Sequence, residues 1–279
     1  MFTEKDKLST DLSTIIPQKT LIIVVLVHFG DVAATNRLVA DLLAGKRLPD
    51  QLIVVDHDPL PYECRSSQAT CVRPHKNNGY IAGLRFGVRA AKAPDESILV
   101  LLNNDSMITD NFLIDIAAWW RKHGGASVLA GPGIASLSRL TGRARIGTGQ
   151  SYDMLFSLPY IDGACVVVQR SFFDTISSVE HLFMYWEDVA LSMRAQSSGG
   201  RIQKIPNLGF EHHNAAEPAS GKKLYYLVRN GAYILERLSF PWNMYWIIKN
   251  KVRLLWHSVL PGARHIDNTR ALKDAQRLL

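Results

Sequence analysis

The chain has 279 residues, 47% hydrophobic and 20% charged, with 19 Gly and 12 Pro. That balance excludes a collagen-like, disordered or disulfide-scaffold protein and leaves room for a sizeable core. Lys and Arg number 32 against 25 Asp and Glu, a formal charge of +7, which suits a phosphate-bearing ligand, nucleic acid or an anionic membrane without choosing among them.

Residues 1–19 read as a polar leader that mixes acid with base and lacks the basic start and apolar stretch of a signal peptide. Three cysteines, Cys64, Cys71 and Cys165, show no CxxC spacing, which argues against structural zinc and against an extracellular disulfide framework. A cytoplasmic protein is expected. Leu21 to Val27 is a continuous apolar run ended by His28-Phe29-Gly30, the pattern of a strand buried on both faces of a parallel sheet and far too short to span a bilayer. Val32, Leu38, Val39, Leu42 and Leu43 then form a helical stripe stopped by Gly45 and Pro49. Leu52 to Val55 is a second strand ending at Asp56-His57-Asp58-Pro59, and a third element lies near Cys71-Val72. The loop Asn77-Asn78-Gly79 leads to a helix from about Ile81 to Ala91, and the strand Ser97 to Leu102 runs into Asn103-Asn104-Asp105.

Strand and helix in alternation predict an α/β fold with a doubly wound, mostly parallel sheet flanked by helices. In such sheets ligands bind beyond the carboxyl ends of the strands, where Asp56/Asp58 and Asn103 to Asp105 fall. These residues either hold a nucleotide and its metal or simply make turns.

Gly131 to Ser151, rich in Gly, Ser and Arg, reads as loops and short strands on an acceptor side. Ile161 to Val168 reads as one buried strand after a turn at Pro159, and a helix opens near Glu187, where Glu187 and Asp188 could serve only as helix-dipole partners. Ile202 to Ile205 is a short strand followed by Glu211-His212-His213. From Lys222 the chain turns helical and basic. Leu224, Leu227, Val228, Ala232 and Leu235 share one stripe, and Tyr245, Ile248, Val252, Leu255 and Val259 another, with Trp242, Trp246 and Trp256 among Lys249, Lys251 and Arg253. Such a helix either lies in a membrane interface or packs on the domain. The basic residues form no recognition stripe, so nucleic acid is not an expected partner.

The ordered set VVLVHFGD (24–31), LIVVDHDP (52–59), NNGYIAGLRFGVRAA (77–91), LVLLNNDSMITDNFL (99–113), IDGACVVVQRSFF (161–173), LFMYWEDVALSMRAQSSGGRIQKIP (182–206), EHH (211–213) and KLYYLVRNGAYILER (223–237) resembles the inverting glycosyltransferases of family 2, in particular their rhamnosyltransferase-like branch. The resemblance implies a GT-A fold, with a nucleotide-sugar-binding and catalytic domain over 20–220 and a helical extension over 221–279. It implies transfer of rhamnose or another hexose from a dTDP- or UDP-sugar to a glycan or lipid-linked acceptor in bacterial surface polysaccharide synthesis, at the inner face of the cytoplasmic membrane. Asp188 matches the catalytic base. Asp105 and His212 match the holders of Mg²⁺ or Mn²⁺, with His213 less favoured. His28, Asp56, Asp58, Asn77, Gly83, Asn103 and Asn104 match donor contacts, and Asp162, Trp186 and Glu187 acceptor or supporting positions. Leu84 and Arg85 stand where relatives commonly carry a polar Asn, and Ala190 where an acid is frequent. A homodimer through the C-terminal helices is a further expectation. The rival readings are a sugar-phosphate nucleotidyltransferase, which normally carries a Gly-rich basic loop after its first strand, and a non-catalytic nucleotide-sugar or glycan-binding module.

Overall fold

The computed structural model describes residues 20–146, 155–212, 221–259 and 263–278. The polar leader, His213 and the end of the Gly131–Ser151 stretch lie outside them. The order is β1 (Ile22–His28), α1 (Val32–Ala44), β2 (Gln51–Asp56), β3 (Thr70–Val72), α2 (Tyr80–Ala91), β4 (Ile98–Asn103), β5 (Ser106–Ile108), α3 (Phe112–His123), β6 (Val128–Gly131), β7 (Ile134–Ser138) and β8 (Ala144–Ile146). It continues with β9 (Ser157–Ile161), β10 (Cys165–Gln169), α4 (Arg170–Ile176), a short 3-10 turn at Glu180–Leu182, α5 (Glu187–Ser197), β11 (Arg201–Lys204), β12 (Phe210–His212), α6 (Gly221–Leu235), α7 (Trp242–Val259) and α8 (Ala263–Arg277).

Seven strands form the central sheet in the order β11-β6-β10-β4-β1-β2-β3. Among the described residues β10 alone runs against its neighbours in that sheet. The unbroken apolar reading of β1 has a direct structural cause. Ile23, Val25 and Val27 enter the layer under α2, whereas Ile22, Val24 and Leu26 enter the layer under α1 and α3. Period-two alternation thus buries every residue, and trimming one of these side chains to Ala costs about 2–4 kcal/mol.

The expected strand over Ile161 to Val168 is two strands. β9 contains Pro159 and ends at Ile161, the chain turns at Asp162-Gly163-Ala164, and β10 begins at Cys165. The turn is closed by Asp162 Oδ1, which accepts from the Ala164 amide at 3.0 Å. Because β10 is antiparallel, this turn comes to the carboxyl ends of the parallel strands, where the Asn103 amide donates to the Ala164 carbonyl at 3.0 Å.

The C-terminal helices add to the same core. Ile234, Leu235, Leu238 and Trp246 join the apolar layer that contains α2 and α5, and Trp246 Nε1 donates to the Arg139 carbonyl at 2.6 Å. The second stripe faces the other way. Ile248, Val252, Leu255 and Val259 are 59, 62, 68 and 70% exposed. No helix of the described residues is long and apolar enough to cross a membrane.

Candidate active site

A cleft of about 500 Å³ opens at the carboxyl ends of β1 and β4. It brings together Asn77, Asn103, Asn104, Asp105, Asp162, Trp186, Glu187 and Asp188, with Tyr80 and Gly163 in its wall. Four expected donor contacts, His28, Asp56, Asp58 and Gly83, do not border it, and neither does the expected metal ligand His212, which meets the cleft through Asp105.

Each of the four donor positions has a physical reason. The His28 ring is wholly buried 4.5 Å from the Tyr62 ring, and burial lowers its proton affinity. Its Nδ1 pairs with Thr35 Oγ1 at 2.7 Å, and that same oxygen accepts from Asn104 Nδ2 at 2.9 Å. His28 therefore acts on the cleft at second hand, by fixing the group that fixes Asn104. Asp56, 4% exposed, accepts from the amides of Asp58 (3.0 Å) and Tyr62 (2.9 Å) and pairs with Arg73. Asp58 accepts from Gly30 at 2.7 Å and Leu60 at 3.0 Å, which ties the loop after β1 to the loop after β2 and holds its carboxyl below the usual range. Both acids are turn-formers whose lone pairs already have donors. Gly83 is a packing position, since a Cβ there would stand 2.6 Å from the His57 ring.

Asp105 is set by a small sheet. β5 pairs antiparallel with β12 so that His212 lies opposite Ser106, and His212 Nε2 comes to 3.1 Å from Asp105 Oδ1 and 3.4 Å from Asn103 Nδ2. The hydrogen bond to Asp105 raises the His212 pKa, against the effect of burial. The pair suits a hard divalent cation. Adjacent ligands about 2.1 Å from one ion stand about 3 Å apart, the separation of these two atoms. His212 Nδ1 is buried without a partner among the described residues, and no third His, Cys, Asp or Glu joins the pair there. Two protein ligands suit Mg²⁺ or Mn²⁺, which keep several waters and take substrate phosphate oxygens.

On the opposite wall, Glu187 and Asp188 open α5. Both are half-buried and line the cleft. Asp188 Oδ1 accepts from the Val189 amide at 2.7 Å, and a Cβ on Gly163 would come 3.2 Å from Asp188 Cβ. Desolvation, helped by Asp162, raises the Asp188 pKa to about 6 in spite of that backbone hydrogen bond. Desolvation and the Asp188 charge raise Glu187 to about 8. Its Oε2 has no hydrogen-bond partner among the described residues, as suits a neutral carboxylic acid. Two adjacent acids thus divide into an ionisable base and a neutral neighbour.

The segment that delivers them is strained. Phe183, Tyr185 and Trp186 have φ of 66°, 64° and 70°, left-handed values that cost energy for residues with side chains. Two neighbours hold the strain. Asn230 in α6 donates from Nδ2 to the carbonyls of Leu182, Met184 and Tyr185 at 2.7, 2.8 and 3.0 Å. Gly79 receives the loop from the other side: the Tyr80 amide donates to the Phe183 carbonyl at 3.0 Å, and a Cβ at Gly79 would lie 2.1 Å from that oxygen. Trp186 Nε1 donates to the Leu227 carbonyl at 3.1 Å. Sequence reasoning passed over Asn230 and Tyr80. The available signal for Asn230 was a carboxamide within an otherwise apolar stripe. Tyr80 is half-buried, and its hydroxyl donates to the Gly163 carbonyl at 3.2 Å.

The chain matches no protein-family model and no curated protein sequence. Its fold matches the crystal structure of GalNAc-T7 with UDP, GalNAc and Mn²⁺ at a TM-score of 0.64 and 13% identity, over 92% of this chain and 54% of that one. It matches S. aureus TarS at 0.50 and 15% identity, over 81% of this chain and 41% of that one. The 1–349 portion of TarS matches at 0.52, with 68% of that chain covered. The chain therefore spans about half the length of GalNAc-T7 and less of the longer TarS chain. The mixed sheet flanked by helices, with its cleft at the strand ends, is the GT-A fold.

Proposed function

We propose that the protein is an inverting, metal-dependent glycosyltransferase that moves rhamnose or another hexose from a dTDP- or UDP-sugar to a glycan or lipid-linked acceptor of a bacterial surface polysaccharide. The observation that carries the proposal is that one cleft is lined by Asp188, a carboxyl raised to about 6, and by Asp105, whose Oδ1 lies 3.1 Å from His212 Nε2. An acceptor alcohol is a poor nucleophile until a placed base removes its proton, and a base titrating near 6 is ionised at neutral pH while retaining proton affinity. Glu187, neutral at that pH, is no nucleophile, and Asp162 is engaged in its own turn. One working carboxylate supports direct displacement at the anomeric carbon, hence inversion, without a covalent sugar intermediate. A cation held by Asp105 and His212 would supply positive charge against the departing diphosphate. Asn103 and Asn104, held by His212 and Thr35, present carboxamides to the donor.

The test is a thermal-shift panel of dTDP, UDP and GDP with and without Mn²⁺. A nucleotide at a hundred times its Kd stabilises the fold by about 2.7 kcal/mol, so one nucleotide with metal should raise Tm by several degrees. No response to any of the three would sink the donor-site assignment.

The exposed apolar face of α7 supports a place at an anionic membrane surface on the cytoplasmic side. Trp256 and Phe240, 62 and 79% exposed, extend that face, and Lys251 stands beside it in water. Aromatic and aliphatic groups at headgroup depth with nearby cations suit anionic lipid. The full chain should cosediment with phosphatidylglycerol vesicles and lose that binding on Leu255→Ser/Trp256→Ser. A monomer that ignores the vesicles would refute the membrane reading, and a vesicle-blind dimer would assign the face to a second copy.

A further inference from the structure

Beside the cleft lies a second cavity of about 750 Å³, between the outer face of α2 and the segment around His181 and Phe183. Its charged lining is of one sign. Lys76, Arg85 and Arg89 border it together with His57 and His181, and among the described residues no Asp or Glu does.

Arg85 and Arg89 lie one helical turn apart on the same face of α2, an arrangement that destabilises a helix unless a counter-charge is near. The Lys76 and Arg89 side chains make no ion pair or hydrogen bond among the described residues. Burial and the charge of Arg89 together lower the Arg85 pKa, with Asp174 offsetting them in part. The cations thus crowd one another around a space wide enough for a ligand. His57, 8% exposed, borders the same space with an Nε2 that has no partner among the described residues. The remaining wall is aromatic. Phe183 stacks on Tyr226 with ring centroids 5.1 Å apart, and Phe86 is 39% exposed. Flat aromatic faces receive the C–H face of a sugar ring, and cations beside them receive an anion.

The cavity is continuous with the site of chemistry, since Asn77 and Phe183 belong to both walls. We propose that it binds the anionic part of the acceptor, a glycan segment bearing phosphodiester or carboxylate groups, gripped by Lys76 and Arg89 while its reacting hydroxyl lies at Asp188. The word acceptor rests on the transferase reading of the neighbouring cleft, whereas the anion site rests on the cavity itself. A nucleotide donor held by the Asp105–His212 side of the cleft leaves the cavity open, so both ligands fit at once.

The experiment uses the full chain and three fluorescein-labelled probes: oligo(glycerol phosphate), oligogalacturonate and neutral maltohexaose. Fluorescence anisotropy is read at low and high salt, with and without UDP or dTDP plus Mn²⁺. At least one anionic probe should bind at low salt and weaken as salt rises, with maltohexaose inert. The better of the two anionic probes identifies phosphate or carboxylate as the group recognised. Lys76→Gln/Arg89→Gln should weaken that probe about tenfold or more, as expected for loss of charge-assisted contacts, and Lys76→Arg should retain it. The nucleotide thermal shift of both variants should equal that of the parent. The site is refuted if neither anionic probe binds, if the double variant binds as the parent does, or if nucleotide displaces the probe. A protein that ignores every nucleotide but holds a probe through Lys76 and Arg89 refutes the transferase reading and leaves the anion site standing. One that answers to nucleotide and ignores both probes refutes the site alone.

Discussion

Replacing Asn230 by Ala should damage both stability and turnover, although Asn230 does not border the cleft. Its amide nitrogen holds the carbonyls of Leu182, Met184 and Tyr185, and its oxygen accepts from Arg229 Nε at 2.8 Å. Leu182 keeps a second donor, Arg229 Nη2 at 2.9 Å, so the main loss falls on Met184 and Tyr185. Stripping a donor from a buried acceptor costs about 1–3 kcal/mol. Two half-buried carbonyls at the lower end of that range give about 2–3 kcal/mol, or a fall in Tm of about 5–10 °C for a chain of this size. The left-handed residues Phe183, Tyr185 and Trp186 would then relax, and the start of α5 with them. Sugar transfer to a defined acceptor should show kcat falling at least tenfold with donor KM changed less than twofold, the pattern of a disturbed base with an intact donor site. A variant with unchanged Tm, or one that melts earlier while kcat stands, would refute the idea that Asn230 braces the catalytic loop.

Asp188→Asn should keep the nucleotide thermal shift and abolish transfer, and in the parent kcat/KM should rise with pH through a limb near 6 as the Glu187–Asp188 pair loses its first proton; a profile flat from pH 5 to 8 would oppose the base assignment. Both carboxyls bind protons more tightly folded than unfolded, so Asp188 weakens the fold as pH rises from 3.8 to about 6 and Glu187 as it rises from 4.5 to about 8. Glu187→Gln, which mimics the neutral acid, should therefore raise Tm at pH 8 more than at pH 5 in a melting series, and an equal gain at both would count against a raised pKa. Gly79→Ala drives a Cβ into the Phe183 carbonyl and strains a φ of 99°; chemical denaturation should show a loss of about 2 kcal/mol or more. His212→Ala should abolish the Mn²⁺-dependent part of the nucleotide thermal shift while leaving the metal-free part, and a full Mn²⁺ effect in that variant would remove His212 from the cation site.

Much of the architecture could be read from period and punctuation. β1, β2 and β4 are long apolar runs with polar stops, and α2 and α5 begin within a residue or two of their expected starts. Residues 161–168 were misread because apolar character continues through β9 and β10, and the reversal between them rests on one Asp-Gly pair. In the site, the residues after β4 and at the start of α5 do face the cleft. The acids after β2 do not, because Asp is equally suited to closing a turn, and the sequence carries no mark of whether its oxygens are already engaged. Leu84 and Ala190, which depart from the family pattern, lie in the apolar core at 1 and 4% exposure, so these substitutions remove no polar group from the cleft. The exposure of the α7 stripe was illegible for another reason: periodicity reveals that a helix has an apolar face, and only the neighbours reveal what covers it.

The pairing of β5 with β12 carries a consequence for how competence arises during folding. Asp105 and His212 meet across 107 residues of chain, and the ladder that joins them is only three residue pairs long. So distant a contact closes late, after nearer elements have docked. A nascent chain that has already formed β1 to β4 holds half of the cation site and should not load metal-bound donor until β12 arrives. Under the proposed function, donor loading would report completion of this domain, and a nucleotide pulse during refolding should be answered only in the slowest phase.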